Sequence, residues 1–277
     1  MKILIPTDFS KFSKVAVQYA AKLAIKLDAE LVLLNVVFID APPRAMVAVK
    51  VKSIEDAMAD NAKQDSIQLI NEIEAGHKGK LNIGYEIIKG YPVEDVIESF
   101  ASHNNIDLIV MGTKGVSGLT KVLIGSNATA VISKSSIPVI AVPEFARFNN
   151  LKNIVYATNM WNLNLEVATL IPLAKIFNSS IHILHVISSS SKKKIDTNKV
   201  LDALKKKMKY SNITFHVSIN EDITEGIDEY VARIKADMLS MFTHEHTFFE
   251  KLFGKSVTRQ MAFHTWIPML TFKNNIG

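Results

Sequence analysis

The chain has 277 residues, no cysteine, 48% hydrophobic residues and 32 Lys+Arg against 27 Asp+Glu. That composition is globular, and it excludes a disulfide scaffold, thiolate metal sites, iron–sulfur clusters and a cysteine nucleophile. The net charge of +5 lies wholly in the second half: residues 1–149 carry 16 basic and 16 acidic residues, residues 150–277 carry 16 and 11.

The chain opens on Met1-Lys2-Ile3-Leu4-Ile5-Pro6-Thr7-Asp8. This apolar stretch is too short for a signal peptide and ends at a proline and an acid. No apolar run approaches the ~20 residues that span a bilayer. A soluble, cytoplasmic protein is expected, with no membrane partner. Short runs rich in Val, Ile and Leu predict strands at 2–6, 30–38, 82–88, 106–111 and 137–142, buried on both faces of a parallel sheet. Helical patterns fall between them at 12–27, 53–76, 93–103 and 126–135, and Ser10 is placed to cap the first. Residues 41–60, with Pro42-Pro43, read as a mobile loop with a lid role over the first site. Beyond a linker near Glu144 to Lys152, the order repeats at 153–157, 162–178, 180–187, 198–208, 212–219, 223–235, 237–242, 256–264 and 268–272. Strand–helix alternation of this kind predicts an α/β fold with helices on both faces of a parallel sheet.

The two halves are copies. Ile3-Leu4-Ile5-Pro6-Thr7-Asp8 aligns with Ile154-Val155-Tyr156-Ala157-Thr158-Asn159. Asp107-Leu108-Ile109-Val110-Met111 aligns with Asp237-Met238-Leu239-Ser240-Met241, and Ile137-Pro138 with Ile267-Pro268. The offset falls from 151 to 130, so the second copy is about twenty residues shorter, between its second and third strands. Two domains follow, 1–146 and 151–277.

Met111-Gly112-Thr113-Lys114-Gly115 follows the fourth predicted strand, and Gly125-Ser126-Asn127 opens a helix. Glycines let the backbone approach an anion closely. The N–H groups of a helix start attract phosphate. Asp8 ends the first strand, and ligands of open α/β sheets sit outside the carboxyl ends of strands. A carboxylate there suits ribose hydroxyls. Plain turn glycines and a capping aspartate are the structural alternative. Lys114 and Lys121 read as solvated, and Ser126 as a phosphate donor and cap, since no general base stands at recognisable spacing from it.

Gly112-x2-Gly115-x9-Gly125-Ser126, with Pro6-Thr7-Asp8 and Asp107-Leu-Ile-Val-Met-Gly, resembles the universal stress protein family, over nearly the whole chain as a tandem pair. The resemblance implies five-stranded parallel sheets of order 3-2-1-4-5, and ATP as ligand, with Mg²⁺ as an optional companion. It implies a nucleotide site of Pro6, Thr7, Asp8, Val36, Met111, Gly112, Gly115, Gly125, Ser126 and Asn127. Asp8 would hold the ribose and Val36 the adenine. Gly90-Tyr91-Pro92 resembles the family's loop before the third helix. The family's dimer pairs last strands, so 137–142 and 268–272 are expected to make an intramolecular pseudo-dimer, with a homodimer as the further assembly.

The second copy departs from the pattern: Phe242 stands for Gly112, Glu245 for Gly115, Lys255 for Gly125 and Asn159 for Asp8, while Ser256 keeps Ser126. A phenylalanine filling the site and a carboxylate repelling phosphate predict no equivalent ATP site there. His244-Glu245-His246 and His264 form a candidate metal set. The helical His-x-x-x-His spacing is missing, and polar filling of the pocket or a partner surface is the alternative. The lysines of 192–209 lack aromatic interleaving except Tyr210, so they read as a solvated helix face and no nucleic acid partner is expected. The leading functional expectation is an ATP-binding regulatory protein with an unnamed protein partner. The alternatives are a slow ATPase or nucleotide-dependent transferase, and a ligand-free scaffold. No catalytic residue is assigned.

Overall fold

The computed structural model describes residues 1–39, 45–77, 81–113, 125–190, 195–243 and 267–273, with backbone only at 45–51 and 243. These residues form two compact units, one running to Glu144 and the other beginning at Phe145.

The first unit contains β1 (Lys2–Pro6), α1 (Lys11–Leu27), β2 (Glu30–Val37), α2 (Ala45–His77), β3 (Asn82–Lys89), α3 (Val93–His103), β4 (Leu108–Gly112), α4 (Ser126–Lys134) and β5 (Val139–Val142). Its strands are all parallel, in the order β3-β2-β1-β4-β5. Ile3, Leu4 and Ile5 are fully buried, as strands covered on both faces require. Ser10 caps α1 by accepting from the Ser13 N–H at 3.2 Å. Asp28 ends that helix in the left-handed region. Lys14 of α1 lies 3.6 Å from Glu72 of α2 on one face of the sheet. Lys134 of α4 holds Glu94 and Asp95 of α3 on the other.

The predicted loop at 41–60 needs correction. Helix α2 begins at Ala45 and runs 33 residues. Pro42-Pro43 reads as loop punctuation, but proline is tolerated around a helix start, and no breaker follows. Residues 40–44 lie outside the described residues.

The second unit contains β6 (Asn153–Ala157), α5 (Leu163–Phe177), β7 (Ser180–Ile187), α6 (Thr197–Met208), β8 (Ile213–Ile219), α7 (Ile223–Ile234), β9 (Met238–Thr243) and β10 (Met269–Lys273). Its parallel order is β8-β7-β6-β9-β10, which is again 3-2-1-4-5. The shortening is α6, with 12 residues where α2 has 33. The predicted helix 256–264 lies outside the described residues.

Strand register makes the repeat exact enough to compare residues. Ile3 pairs with Leu108, and Ile154 with Met238. Gly112 pairs with Val142, and Phe242 with Phe272. The two units also pack one junction in opposite ways. A Cβ on Gly90 would stand 2.7 Å from Val96 Cγ2. At the equivalent positions of the second unit stand Asn220 and Gly226, where a Cβ on Gly226 would lie 3.1 Å from Asn220 Cβ and 2.9 Å from Val186 Cγ1. Large and small have exchanged places.

Candidate functional site

At the carboxyl ends of β1, β2 and β4, a pocket of about 820 Å³, counting its open mouth, is lined by strand tips and the starts of α3 and α4. Pro6, Thr7, Asp8, Val36, Met111, Gly112, Gly125, Ser126 and Asn127 all line it. Gly115, the remaining predicted residue, lies outside the described residues with Lys114 and Lys121.

Asp8 is set by a tight turn. The Thr7 Oγ1 accepts from the Phe9 N–H at 3.1 Å and donates to Ser13 Oγ at 3.1 Å. The Asp8 Oδ1 accepts from the Ser10 N–H at 3.1 Å. Phe9 is driven to φ 58, a conformation uncommon without glycine. Asn35 Nδ2 donates to the Thr7 carbonyl at 2.8 Å and ties the tip of β1 to β2.

Val36 offers backbone rather than side chain. Pairing of β1 with β2 ends at Pro6 opposite Leu34, and the Thr7 N–H takes the Leu34 carbonyl at 2.9 Å. In a parallel strand, residues two apart aim their peptide groups the same way. The Val36 N–H and C=O therefore point past the end of β1, into the crevice. A donor and an acceptor side by side match the edge of a nucleobase.

The phosphate end is equally backbone in character. Gly125 N–H donates to the Thr113 carbonyl, bringing the two flanks of 114–124 together. Gly125 is the N-cap of α4; no side chain caps the helix, and its first turn holds no acid. The N–H groups of that first turn, with the helix dipole, suit an anion.

Thr113, Ser13, Asn35, Phe38, Val93 and Ile97 also line the pocket, and sequence reasoning did not assign them. One signal was available for Phe38, which shares the strand parity of Val36.

The second unit keeps the scaffold of the turn. Thr158 Oγ1 accepts from the Met160 N–H at 2.9 Å, Asn159 Oδ1 from the Trp161 N–H at 3.0 Å, and His185 Nδ1 donates to the Thr158 carbonyl at 2.8 Å. The carboxylate is absent from that tip. The expected filling of the site by Phe242 needs correction. Its ring stacks on Phe272 at 5.0 Å and meets Tyr156 edge-on at 6.0 Å. Tyr156 donates in turn to Glu166 of α5, so the bulk of Phe242 is taken up by the core on the α5 side. Burial and the neighbouring Glu166 push the Tyr156 hydroxyl pKa up. The counterparts of the glycine loop, and the candidate ligands His244, His246 and His264, lie outside the described residues. Among the described residues there is no group of three His, Asp or Glu side chains able to hold a metal, and no helix long and apolar enough to cross a membrane.

The sequence profile of the universal stress protein family matches this chain twice, over residues 1–143 and 152–273. The chain belongs to that family, as a tandem member. Universal stress protein MJ0531 of Methanocaldococcus jannaschii is 32% identical over 142 residues, covering 51% of this chain and 81% of its own. Universal stress protein MJ0577 of the same organism is 28% identical over 152 residues, covering 51% and 93%. A universal stress protein structure from Archaeoglobus fulgidus has the same fold along the whole chain. It superposes with a TM-score of 0.72 at 20% identity, covering 98% of each.

Proposed function

We propose that the first unit binds ATP, that the second does not bind it in the same way, and that the protein acts as a nucleotide-dependent regulator rather than a rapid enzyme. The observation carrying this is the convergence on one pocket of three complementary groups: the Asp8 carboxylate, the outward peptide pair of Val36, and the uncapped start of α4. They suit ribose, base edge and phosphate respectively. Asn159 in place of Asp8 removes the ribose acceptor charge from the second unit.

Calorimetric titration of the full chain with MgATP tests the proposal. One site per chain is expected. Two equivalent sites overturn the restriction to the first unit, and no heat of binding at any accessible concentration overturns the nucleotide assignment. Association of the copies through 137–142 and 268–272 is proposed as well. Deletion of 268–272 is expected to disturb folding or assembly state, and an unaffected sedimentation profile ends the idea.

A further inference from the structure

Phe38 and Tyr91 form an aromatic pair at the rim of the first unit's pocket. Their ring centres lie 5.1 Å apart, with planes tilted by 38°. Phe38 is 37% exposed and Tyr91 69%, so neither is committed to the core. Phe38 lines the pocket beside Leu34 and Val36, because alternate positions along a strand share a face. Tyr91 sits in the connection from β3 to α3, whose course is tightly fixed. The Gly90 N–H donates to the Val37 carbonyl at 3.1 Å, and Gly90 has no room for a Cβ. Val93, two residues further on, lines the same pocket.

The second unit shows that the fold does not need aromatics at this junction. Its equivalents are Ser188 and Glu221. There the Glu221 carboxylate accepts from the Ser189 N–H at 2.9 Å and from the Ser189 hydroxyl. Polar contacts close the same crossing of two loops. The exposed aromatic pair therefore belongs to the unit that retains Asp8 and the glycine at the start of α4. Exposed rings gain little from water, and they gain from a flat apolar ligand face.

We propose that Phe38, buttressed by Tyr91, is the stacking wall for a purine base and makes the pocket selective for purine over pyrimidine nucleotides. This rests on the nucleotide assignment above. The peptide groups of Val36 address the edge of the base, and Phe38, two residues along on the same side, takes its face. A purine offers a larger ring to the wall than a pyrimidine. Base stacking on an aromatic side chain changes affinity by about 5- to 150-fold.

The test is titration of the full chain with ATP, CTP and inorganic tripolyphosphate, in the wild type, Phe38→Ala, Phe38→Trp and Tyr91→Glu. Wild type is expected to prefer ATP over CTP by about tenfold, a modest share of a stacking contact. Phe38→Ala is expected to lose about tenfold in ATP affinity on the same ground, to bring ATP and CTP close together, and to bind tripolyphosphate as before. Phe38→Trp is expected to keep the preference, and Tyr91→Glu to weaken it less than Phe38→Ala does. Quenching of 2-aminopurine riboside triphosphate on binding, lost in Phe38→Ala, is the spectroscopic mark of stacking. Equal losses for ATP and tripolyphosphate in Phe38→Ala would mean a structural role and overturn the proposal. Unchanged ATP and CTP affinities in that variant overturn it while leaving the nucleotide assignment intact. Failure of the wild type to bind any nucleotide removes both. If Phe38→Ala does not fold, Tyr91→Glu carries the same comparison on an exposed side chain.

Discussion

The two units share strand order, register and the turn at the tip of their first strand, yet they differ at several of the groups that could meet a ligand. Asn159 stands at the position of Asp8, Phe242 at that of Gly112, and Ser188 and Glu221 at those of Phe38 and Tyr91. What holds the tip in shape has been kept: the hydroxyl of Thr7 or Thr158 and the bond from Asn35 or His185 to the carbonyl behind it. The difference teaches that the scaffold of a strand-tip site and its chemistry are separable. The second unit keeps the turn and carries Asn159 in place of the carboxylate at its tip. Its core has meanwhile grown at the sheet's expense of small residues, with Tyr156, Phe242 and Phe272 clustered where the first unit has Ile5, Gly112 and Val142.

The sharpest way to break the comparison is to close the start of α4. An aspartate at Gly125 would cap the helix, as Asp222 caps α7 by accepting from Thr224 and Glu225 N–H groups. Against glycine, itself a fair N-cap, such a cap adds about a few tenths of a kcal/mol of stability. It also occupies the N–H groups proposed to meet phosphate and would place a like charge beside it. Gly125→Asp is expected to cost at least about 100-fold in ATP affinity, the loss of two charge-assisted hydrogen bonds, while the unfolding midpoint is unchanged or raised. A retained affinity would remove α4 from the site.

The exchanged pair comes next. Gly90→Asn is expected to destabilise the protein by about 2 kcal/mol through overpacking against Val96. Adding Val96→Gly, the pairing used by the second unit, is expected to return part of that loss. Denaturant unfolding of both singles and the double gives the coupling; strict additivity would mean that the two junctions are not equivalent. Smaller still is Asp8→Asn, which keeps the turn because an amide oxygen can accept from the Ser10 N–H as Asn159 does from Trp161. About tenfold in ATP affinity is expected, the difference between a charged and a neutral acceptor, without loss of stability.

The smallest effect concerns Asp228 on α7, the counterpart of Glu98. Glu98 Oε1 accepts from the N–H and hydroxyl of Ser136 at 3.0 and 2.8 Å. Among the described residues, Asp228 Oδ2 is buried with no hydrogen-bond partner. Burial, helped by the charge of Asp222, pushes its carboxyl up to about 7. A carboxyl raised in the native state favours the folded protein as pH falls from about 7 toward the ordinary aspartate range, and disfavours it above 7. Asp228→Asn is therefore expected to stabilise the protein by about 1 kcal/mol at pH 8, allowing for partial solvent screening, and by nothing at pH 4. Urea unfolding at the two pH values checks this, and an equal gain at both would mean that ionisation is not the cause.

Much of this was legible in the chain. Alternating apolar runs and helical patterns located the strands, and the drop in offset from 151 to 130 anticipated the short α6. Gly112, Gly125 and Asp8 line one pocket, and they stand out in the chain because close backbone approach to a ligand shows up as glycine. Three things were less visible. The start of α2 was hidden by Pro42-Pro43, which marks a helix beginning as readily as a loop. The direction of Phe242 depends on strand parity, and parity acquires a face only once helices are assigned to sides of the sheet. Phe38 and Tyr91 lie 53 positions apart in the chain, and only the parallel pairing of β2 with β3 brings their loops together.

Helix α2 carries a consequence of its own. At 1.5 Å per residue its 33 residues extend about 50 Å, roughly twice the length of an eight-residue strand. Among its described side chains the buried ones, Ala62, Ser66, Leu69 and Ile73, fall in the second half, while Ile54 and Met58 are exposed and Asp56 pairs with Lys89 of β3. A helical turn without tertiary cover in water is only marginally favoured. One unbroken element thus contains two populations of backbone amide. Those around Ile54–Met58 are expected to exchange with solvent through local opening, and those around Leu69–Ile73 only when the unit itself opens.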